Sequence, residues 1–587
     1  MTAAPLGDFG VRANQHLRRL REPAPATPAA TLLLLRDTHQ GVEVLMTRRS
    51  TKASFAPGAF VFPGGVVDRA DATAIGLDPE LLKPQRLADC SLLTQQEQAD
   101  LHKIYAQAAL REAWEEVHLL LVVSRQSAAS IDFAELAPLV EGLARHPPEG
   151  FDRALEGRHL RAAIETAYSF SHWTTDRDLP KRFDTRFLVA RAPAGQVPIA
   201  DEGEQFEPCW VRPVEALARH AAGSFYMIFP TIRTLEQLKV FDSVDEVLAH
   251  AERMFGQGML WRTCPRGAYL KSIDVRFTED DMPFAELELV SPDGQMFHSL
   301  DWQHEHAVGL LRYLYRYTAP NPGRMTGPGT NTYLLGEEGD WTVIDPGPEH
   351  SEHVQRIRAF TKDRITRILC THSHLDHSPA AFALQSAIRE AIGVHIPILG
   401  RPSGVTVEAS QRFMPDQILE DGERIRILDD VHLIAIHTPG HASNHLCFLL
   451  EEDGILLSGD HVMNGSTVVI NPPDGDMSEY IASLERLERL HLNYILPAHG
   501  YVLGKPRREI RKLIEHRLSR ERRVYGSLQS LFEGGSGAYS VEEIVGGAYQ
   551  DVPASLHGLA ARSLLAHLLK LQKDGKVIEA EGKWRPA

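Results

Sequence analysis

The sequence predicts a multidomain α/β and α+β protein, and three observations carry that expectation. The chain has 587 residues, where one domain holds roughly 100–200, so about three or four domains are expected. Between residues 320 and 504 short β-branched strands alternate with helices, as in sheets covered by helical layers. Residues 31–240 form a second stretch of mixed strands and helices, and beyond Gly504 the chain reads as helical nearly to its end.

In chain order, residues 1–30 are rich in Ala, Pro and Arg, end in Pro23-Ala-Pro-Ala-Thr-Pro28, and are expected to be disordered. Residues 31–240 are the first expected domain. They open with a strand-like run from Thr31 to Arg36 and the alternating strand Val42-Glu-Val-Leu-Met-Thr-Arg48, then pass through a helix-prone stretch over 78–118. Residues 241–318 are expected to be a connecting region of unassigned role. It has a helical piece, alternating strands over 269–277 and 285–290, and a hairpin-like Pro292-Asp-Gly294. The Pro/Gly-rich segment 319–330 marks a boundary. Strands 341–344, 365–370, 432–436, 455–458 and 494–496 then alternate with helices in a domain spanning 319–504. Residues 505–587 are the tail, with a capping box at Ser540-Val-Glu-Glu543, an apolar helix over 556–571 and a closing hairpin over 576–584.

Composition narrows the function classes. With 62 Lys+Arg against 78 Asp+Glu the net charge is -16, so the surface as a whole does not coat nucleic acid. Five cysteines, none in a C-x-x-C pair, give neither a disulfide framework nor a thiolate zinc site, and fit a reducing compartment. No apolar run is long enough to span a membrane, and the first, Leu32 to Leu35, is too late and too short for a secretory signal. A soluble, cytoplasmic protein without a membrane partner is expected.

The 28 histidines are unevenly spread, with thirteen of them between His350 and His499. Imidazole is the commonest metal-ligand side chain, so this segment carries the first candidate site. Thr371-His-Ser-His-Leu-Asp-His377 directly follows a strand, as do Thr438-Pro-Gly-His441, Ser458-Gly-Asp460 and Pro497-Ala-His499. Open α/β sheets bind their ligands at such strand ends.

The set resembles the metallo-β-lactamase superfamily over residues 320–504. The resemblance implies an αββα sandwich with two metals. His372, His374 and His441 would hold one, Asp376, His377 and His499 the second, and Asp460 would bridge them. Asp376 is also the candidate catalytic residue, and Asp345, in Val343-Ile-Asp-Pro-Gly347, would support the ligands from behind. Two zinc ions, or manganese or iron, would lower the pKa of a shared water and stabilise the oxyanion formed by its attack, so the reaction is hydrolysis. Gly327-Pro-Gly-Thr-Asn-Thr-Tyr-Leu-Leu335, the segment Asp476 to Leu487 and the tail resemble the lactamase-beta-like subgroup. That subgroup includes a single-strand-selective endoribonuclease and fungal acyl-carrier-protein thioesterases, and its members end in a winged-helix-like module. Nine Lys/Arg against three Glu between Lys505 and Arg523 give a local net charge of +6. This could be a phosphate-binding face for RNA or coenzyme A, or a solvated helix face.

A second candidate site lies in the first domain. Phe62-Pro-Gly-Gly65 and Ala109-Leu-Arg-Glu-Ala-Trp-Glu-Glu116 resemble the Nudix box, which implies an α/β/α sandwich. Glu112, Glu115 and Glu116 share one helical face. On the resemblance Glu115 and Glu116 would ligate Mg or Mn with the Gly64 carbonyl, Glu112 would act as base or ligand, and Arg111 would be structural. The chain departs from the box in three ways: Gly65 and Arg111 are separated by roughly 32 inserted residues, Asp71 takes the place of the first glutamate, and His118 that of the closing glycine. The insertion, Lys181-Arg-Phe-Asp-Thr-Arg-Phe187, Glu202, Glu204 and Phe229-Pro-Thr231 resemble coenzyme A diphosphatase relatives. The combined expectation is a dinuclear hydrolase of an acyl thioester or an RNA phosphodiester, its Nudix-like domain hydrolysing or binding a nucleoside diphosphate derivative such as coenzyme A. The alternatives are an endoribonuclease-like enzyme with an inactive Nudix sensor, and a regulatory binding protein.

Overall fold

The structure, a computed structural model, describes residues 10–53, 56–83, 86, 93–126, 131–302, 304–405, 407, 412–465, 468–535 and 537–587. Residues 1–9 of the expected disordered segment, and Cys90, lie outside this set. Two compact units divide the chain, one of Glu22–Pro265 and the other of Met1–Arg21 with Arg266–Ala587.

In the first unit the apolar run of residues 32–35 lies in the strand Ala26–Thr38, which pairs parallel with Arg182–Arg191 and antiparallel with Gly41–Arg49. Leu32 and Leu34 share a core with Ile104 and Leu110 of the helix Gln95–Val117. Leu33 and Leu35 face the opposite way and pack with Leu235 and Val247 of the helices Phe229–Leu238 and Val244–Gly256. A strand covered on both faces has no polar side to offer water, hence the unbroken leucines. The unit is an α/β/α sandwich.

The second unit stacks two sheets. The first runs, in spatial order, Val308–Leu311, Leu314–Thr318, Asn331–Glu337, Asp340–Ile344, Ile365–Leu369, Ile398–Gly400 and Gln417–Ile418. The second runs Arg424–Leu428, Val431–His437, Leu446–Leu450, Ile455–Gly459, Tyr494–Pro497 and Leu503–Gly504. Leu335, Ile344 and Leu369 meet Leu433, Phe448 and Leu457 between them. The helices Ser351–Thr361 and Pro379–Ile392 cover the outer face of the first sheet, and Met477–Glu488 with the start of Pro506–Gly535 covers that of the second, giving αββα order.

Three expectations are corrected. Residues 10–21 are built into the second unit rather than disordered, because the buried Arg12 donates through Nε and Nη2 to Asp453 at 3.0 and 2.9 Å and Tyr313 donates to the same carboxylate at 2.7 Å. Residues 241–318 are divided between the units at Pro265, and Val308–Leu311 and Leu314–Thr318 supply the edge of the first sheet. Residues 285–290 are helical, within Phe284–Val290. Their alternation misleads because Glu286 points inward, where Arg316 meets it bidentately at 2.6 and 2.9 Å and His298 approaches to 2.9 Å.

The tail grows out of the second unit through one 30-residue helix, Pro506–Gly535. Ile510 and Ile514 lie in the core with Tyr480, whereas Val524 and Leu528 pack with Ile544, Leu564 and Trp584. The helices Val541–Ala548 and His557–Lys573 and the hairpin of Val577–Ala580 with Lys583–Pro586 complete a winged-helix arrangement. Ser540 and Glu543 form the reciprocal cap, with amide-to-side-chain distances of 3.3 and 2.7 Å. Among the described residues no helix is long and apolar enough to cross a membrane.

Candidate functional site

Each ligand-type segment of the second unit leaves the C-terminal end of a strand: 371–377 after Ile365–Leu369, 438–441 after Val431–His437, Asp460 after Ile455–Gly459 and His499 after Tyr494–Pro497. The chain folds these ends into two groups. One nitrogen each of His372, His374 and His441 lie within 4.8 Å of one another, as do single atoms of Asp376, His377, Asp460 and His499. Asp460 faces both groups, with Oδ1 3.5 Å from His377 Nε2 and 3.3 Å from His499 Nε2, and Oδ2 3.6 Å from His441 Nε2. Asp376 Oδ2 lies 3.5 Å from His377 Nε2 and 3.3 Å from His499 Nε2.

The tautomers can be assigned from the partners behind each ring. His441 Nδ1 donates to the Val469 carbonyl at 2.7 Å and His499 Nδ1 to that of Gly329 at 3.2 Å. His377 Nδ1 donates to Asp345 at 3.0 Å, and His372 Nδ1 to the Thr371 hydroxyl at 3.0 Å. Every one of these rings therefore turns an Nε2 lone pair into the site. His374 offers Nδ1, which lies 3.0 Å from both His372 Nε2 and His441 Nε2. His377 Nε2 and Asp460 Oδ1 are buried without a hydrogen-bond partner among the described residues. Converging lone pairs and orphaned buried donor atoms call for a cation, and the nitrogen and carboxylate set suits zinc, manganese or iron.

Electrostatics agree. Burial and then the neighbouring imidazoles hold His372 well below its ordinary value, and burial followed by His441 pushes His374 down to about 3, so both are neutral donors. Against the effect of burial, Asp460 and Asp376 push His499 up to about 9, and Asp376, Asp460 and Asp345 raise His377. A proton there neutralises carboxylates that a metal cation would neutralise instead.

The first unit is arranged differently. Arg111 stands among the carboxylates, donating through Nη1 to Glu112 at 2.9 Å and Glu115 at 2.8 Å and through Nε to Asp71 at 2.9 Å. Glu116 accepts from the Gly64 amide and from Gln205 Nε2, both at 2.9 Å. The contact seen with Gly64 is thus through its N–H, where a carbonyl ligand was expected. Among the described residues Glu112, Glu115 and Glu116 form no three-donor group like those of the second unit, because Arg111 draws Glu112 and Glu115 to itself. Burial first, with further carboxylates, raises Glu112 to about 7; burial raises Glu116 to about 8. His118 takes φ 58, ψ 31, the left-handed geometry of a helix C-cap, and its ring stacks on Trp114 at 3.9 Å. The helix stop survives the loss of glycine.

Comparison with known proteins follows these divisions. Family models match residues 325–499 for the Metallo-beta-lactamase superfamily, 540–584 for the Beta-lactamase associated winged helix domain and 20–238 for the NUDT19 Nudix domain. Beta-lactamase-like protein 2 homolog of Caenorhabditis elegans is 31% identical over 266 residues, 45% of this chain and 85% of that protein. Atrochrysone carboxyl ACP thioesterase of Aspergillus chevalieri is 31% identical over 268 residues, 45% of this chain and 82% of that protein. The chain belongs to the metallo-beta-lactamase superfamily. It is a hydrolase of that superfamily that also carries a Nudix domain and an associated winged helix, and its His/Asp cluster is compatible with metal binding.

Within the metallo-beta-lactamase unit several supporting residues escaped the sequence reading. His445 accepts from the Asp460 amide at 3.2 Å and meets Thr438 Oγ1 at 2.9 Å, fixing the position of Asp460. Its signal was His441-x-x-x-His445 in one segment. Gly440, at φ 135, leaves no room for a Cβ, which would lie 2.3 Å from Tyr480 Cα; a Cβ on Gly459 would lie 2.7 Å from His445 Nε2. The basic helix is partly paired, and Glu488 and Asp551 from outside it lower its local net charge from +6 to +4. Arg511 pairs with Glu488, Lys512 with Glu509, and Arg520 and Arg523 with Asp551. Arg517 is buried and donates to the Val468 carbonyl, next to the carbonyl that orients His441.

Proposed function

We propose that the metallo-beta-lactamase unit is a dinuclear metal-dependent thioesterase and that the Nudix unit binds or hydrolyses a nucleoside diphosphate derivative such as coenzyme A. The observation that carries the dinuclear reading is Asp460, whose two oxygens face separate histidine groups. A pair of zinc, manganese or iron ions would supply Lewis acidity, lowering the pKa of water and stabilising an oxyanion at the attacked carbonyl. The chain's own residues hold that arrangement. Asp345, the Thr371 hydroxyl and the carbonyls of Val469 and Gly329 fix His377, His372, His441 and His499 by their outer nitrogens, and Asp376, 27% exposed, sets Oδ2 3.3 Å from His499 Nε2.

Two observations favour a thioester over RNA. The relatives named as thioesterases share this half of the chain, and Arg511, Lys512, Arg520 and Arg523 of the cationic helix that RNA would need are held by Glu488, Glu509 and Asp551. In the Nudix unit, the raised Glu112 and Glu116 favour a divalent-cation role, since a cation would relieve the burial of both. Cys209, Cys370 and Cys447 are free thiols, in keeping with a reducing, cytoplasmic location. The test compares acyl-CoA thioesters, coenzyme A and single-stranded RNA as substrates of wild type, Asp376→Asn and Glu115→Gln. Asp376→Asn should lose thioester hydrolysis by a factor of about 10^2 or more while Glu115→Gln keeps it. Unchanged thioester hydrolysis in Asp376→Asn defeats the dinuclear mechanism, and unchanged turnover of coenzyme A in Glu115→Gln defeats a catalytic Nudix unit.

A further inference from the structure

A cavity of about 360 Å³ opens over the His/Asp groups, with His374, His441, Asp376 and Asp460 in its lining. Of the described residues that line it, the one with a permanent positive charge is Arg562, which comes from the winged-helix tail. Its position is set by the helix His557–Lys573. Ala566, one turn on and on the same helix face, is buried in a core with Val462, Met463 and Tyr480, and Lys573 pairs with Asp476 at the start of Met477–Glu488. The winged helix is thereby fastened to the hydrolase core with Arg562 at the cavity.

Among the described residues the guanidinium has no partner of its own. Among the described residues no carboxylate lies within ion-pair distance of Arg562, in a tail where Arg520, Arg523 and Lys570 are all paired. Asp474, which also lines the cavity, is already committed to Ser443, accepting from its hydroxyl at 2.5 Å and its amide at 3.3 Å. The rest of the wall includes Met325, Met463 and Val469. An unpaired fork donor at the edge of a partly apolar cavity is arranged to receive two oxygens of an anion. We propose that Arg562 is a substrate-recognition residue that binds an oxyanion of the substrate, a carboxylate on the acyl group or a phosphate on the thiol arm, away from the bond that is cleaved. The proposal rests on the thioesterase reading only for its choice of substrates.

Two matched pairs separate the sources of the oxyanion: succinyl- against butyryl-N-acetylcysteamine for a carboxylate, and butyryl-4′-phosphopantetheine against butyryl-pantetheine for a phosphate. With the full metal-loaded chain, kcat/KM for the charged member of one pair should exceed that of its neutral mate by about ten- to a hundredfold. Arg562→Ala should abolish that preference, chiefly through KM, with the neutral members within about twofold of wild type. Arg562→Lys should restore part of it, since a point charge replaces the fork. Calorimetric binding of the non-hydrolysable thioether analogues of the same four compounds provides the second readout. If no thioester is turned over but the analogues show the Arg562-dependent preference, the thioesterase reading falls and the oxyanion subsite stands. If wild type prefers neither charged member, or Arg562→Ala weakens both members of each pair equally, the subsite is overturned.

Discussion

In the metallo-beta-lactamase unit the groups that orient four of the five histidines lie behind them, whereas in the Nudix unit the orienting group, Arg111, stands among the donors themselves. Asp345 receives His377 Nδ1 at 3.0 Å, the Thr371 amide at 2.7 Å and the Thr371 hydroxyl at 2.6 Å, and leaves His377 Nε2 bare and buried. Arg111 instead occupies Glu112 and Glu115 directly. The first arrangement is short of one thing, positive charge from outside. The second carries its own cation, and a metal would take its place only after Glu115 or Glu112 had rearranged. Donors spread over four strand ends have room for support at the back, while donors on one helical face share their neighbourhood with whatever the same helix projects.

The largest test of this contrast is Asp345→Asn. An amide would place an NH₂ group against donors that now converge on a carboxylate, so His377 loses its tautomer and its aim. Metal affinity and thioester hydrolysis should both fall by about ten- to a hundredfold, with cation binding to the Nudix unit unchanged. Metal titration and initial rates measure the two effects. Wild-type metal affinity in Asp345→Asn would show that the ligands are held without support from behind.

Much of this site was legible because its motifs are contiguous. His372, His374, Asp376 and His377 fall within six residues, and each remaining segment pairs a strand with a ligand across a small turn. What was hidden depends on partners remote in sequence. The carbonyls of Val469 and Gly329 lie 28 and 170 residues from the histidines they orient, and no residue type marks a carbonyl that will do this. Arg12 finds Asp453 across 441 residues, which turned an Ala/Pro/Arg-rich, seemingly unstructured segment into part of a core. The helix at Phe284–Val290 was masked by the same kind of event, since periodicity counts Glu286 as outward-facing until Arg316 is known to lie beside it. In the Nudix unit the motif showed which carboxylates share a face, but not that Arg111 would reach two of them.

A smaller effect probes the buried carboxyls of the Nudix unit. Burial holds Glu116 at about 8 and Glu112 at about 7. A carboxyl whose folded pKa lies above its unfolded value keeps its proton in the folded state after the unfolded chain has released its own. Its stability cost is therefore absent below the ordinary carboxylate range and grows as pH rises toward about 8. With divalent cations removed, the Nudix unit should lose on the order of 1–2 kcal/mol between about pH 5 and 8. Glu116→Gln should flatten most of that slope, and magnesium should restore more stability at pH 8 than at pH 5. Denaturant unfolding of the full chain at three pH values reads all three, and a slope unaltered by Glu116→Gln would place the pH dependence elsewhere.

The smallest effect concerns where the Nudix helix stops. His118 occupies a left-handed conformation at φ 58, a region that costs a residue with a Cβ about 1 kcal/mol. Its amide reaches back to the Trp114 carbonyl at 3.0 Å and the Leu119 amide to that of Ala113 at 3.2 Å, the double closure of a helix end, while its ring lies on Trp114. Stacking offsets part of the backbone cost, so His118→Gly alone would mix two opposed changes. Comparing His118→Gly with His118→Ala removes the ring from both and leaves only the backbone difference. Glycine should then be the more stable of the two by about 1 kcal/mol in denaturant unfolding, less the few tenths that its freer unfolded chain takes back. Equal stabilities would mean that the helix end is set by Leu119 and the core beneath it rather than by the conformation of residue 118, and that a box ending in histidine bears no backbone cost.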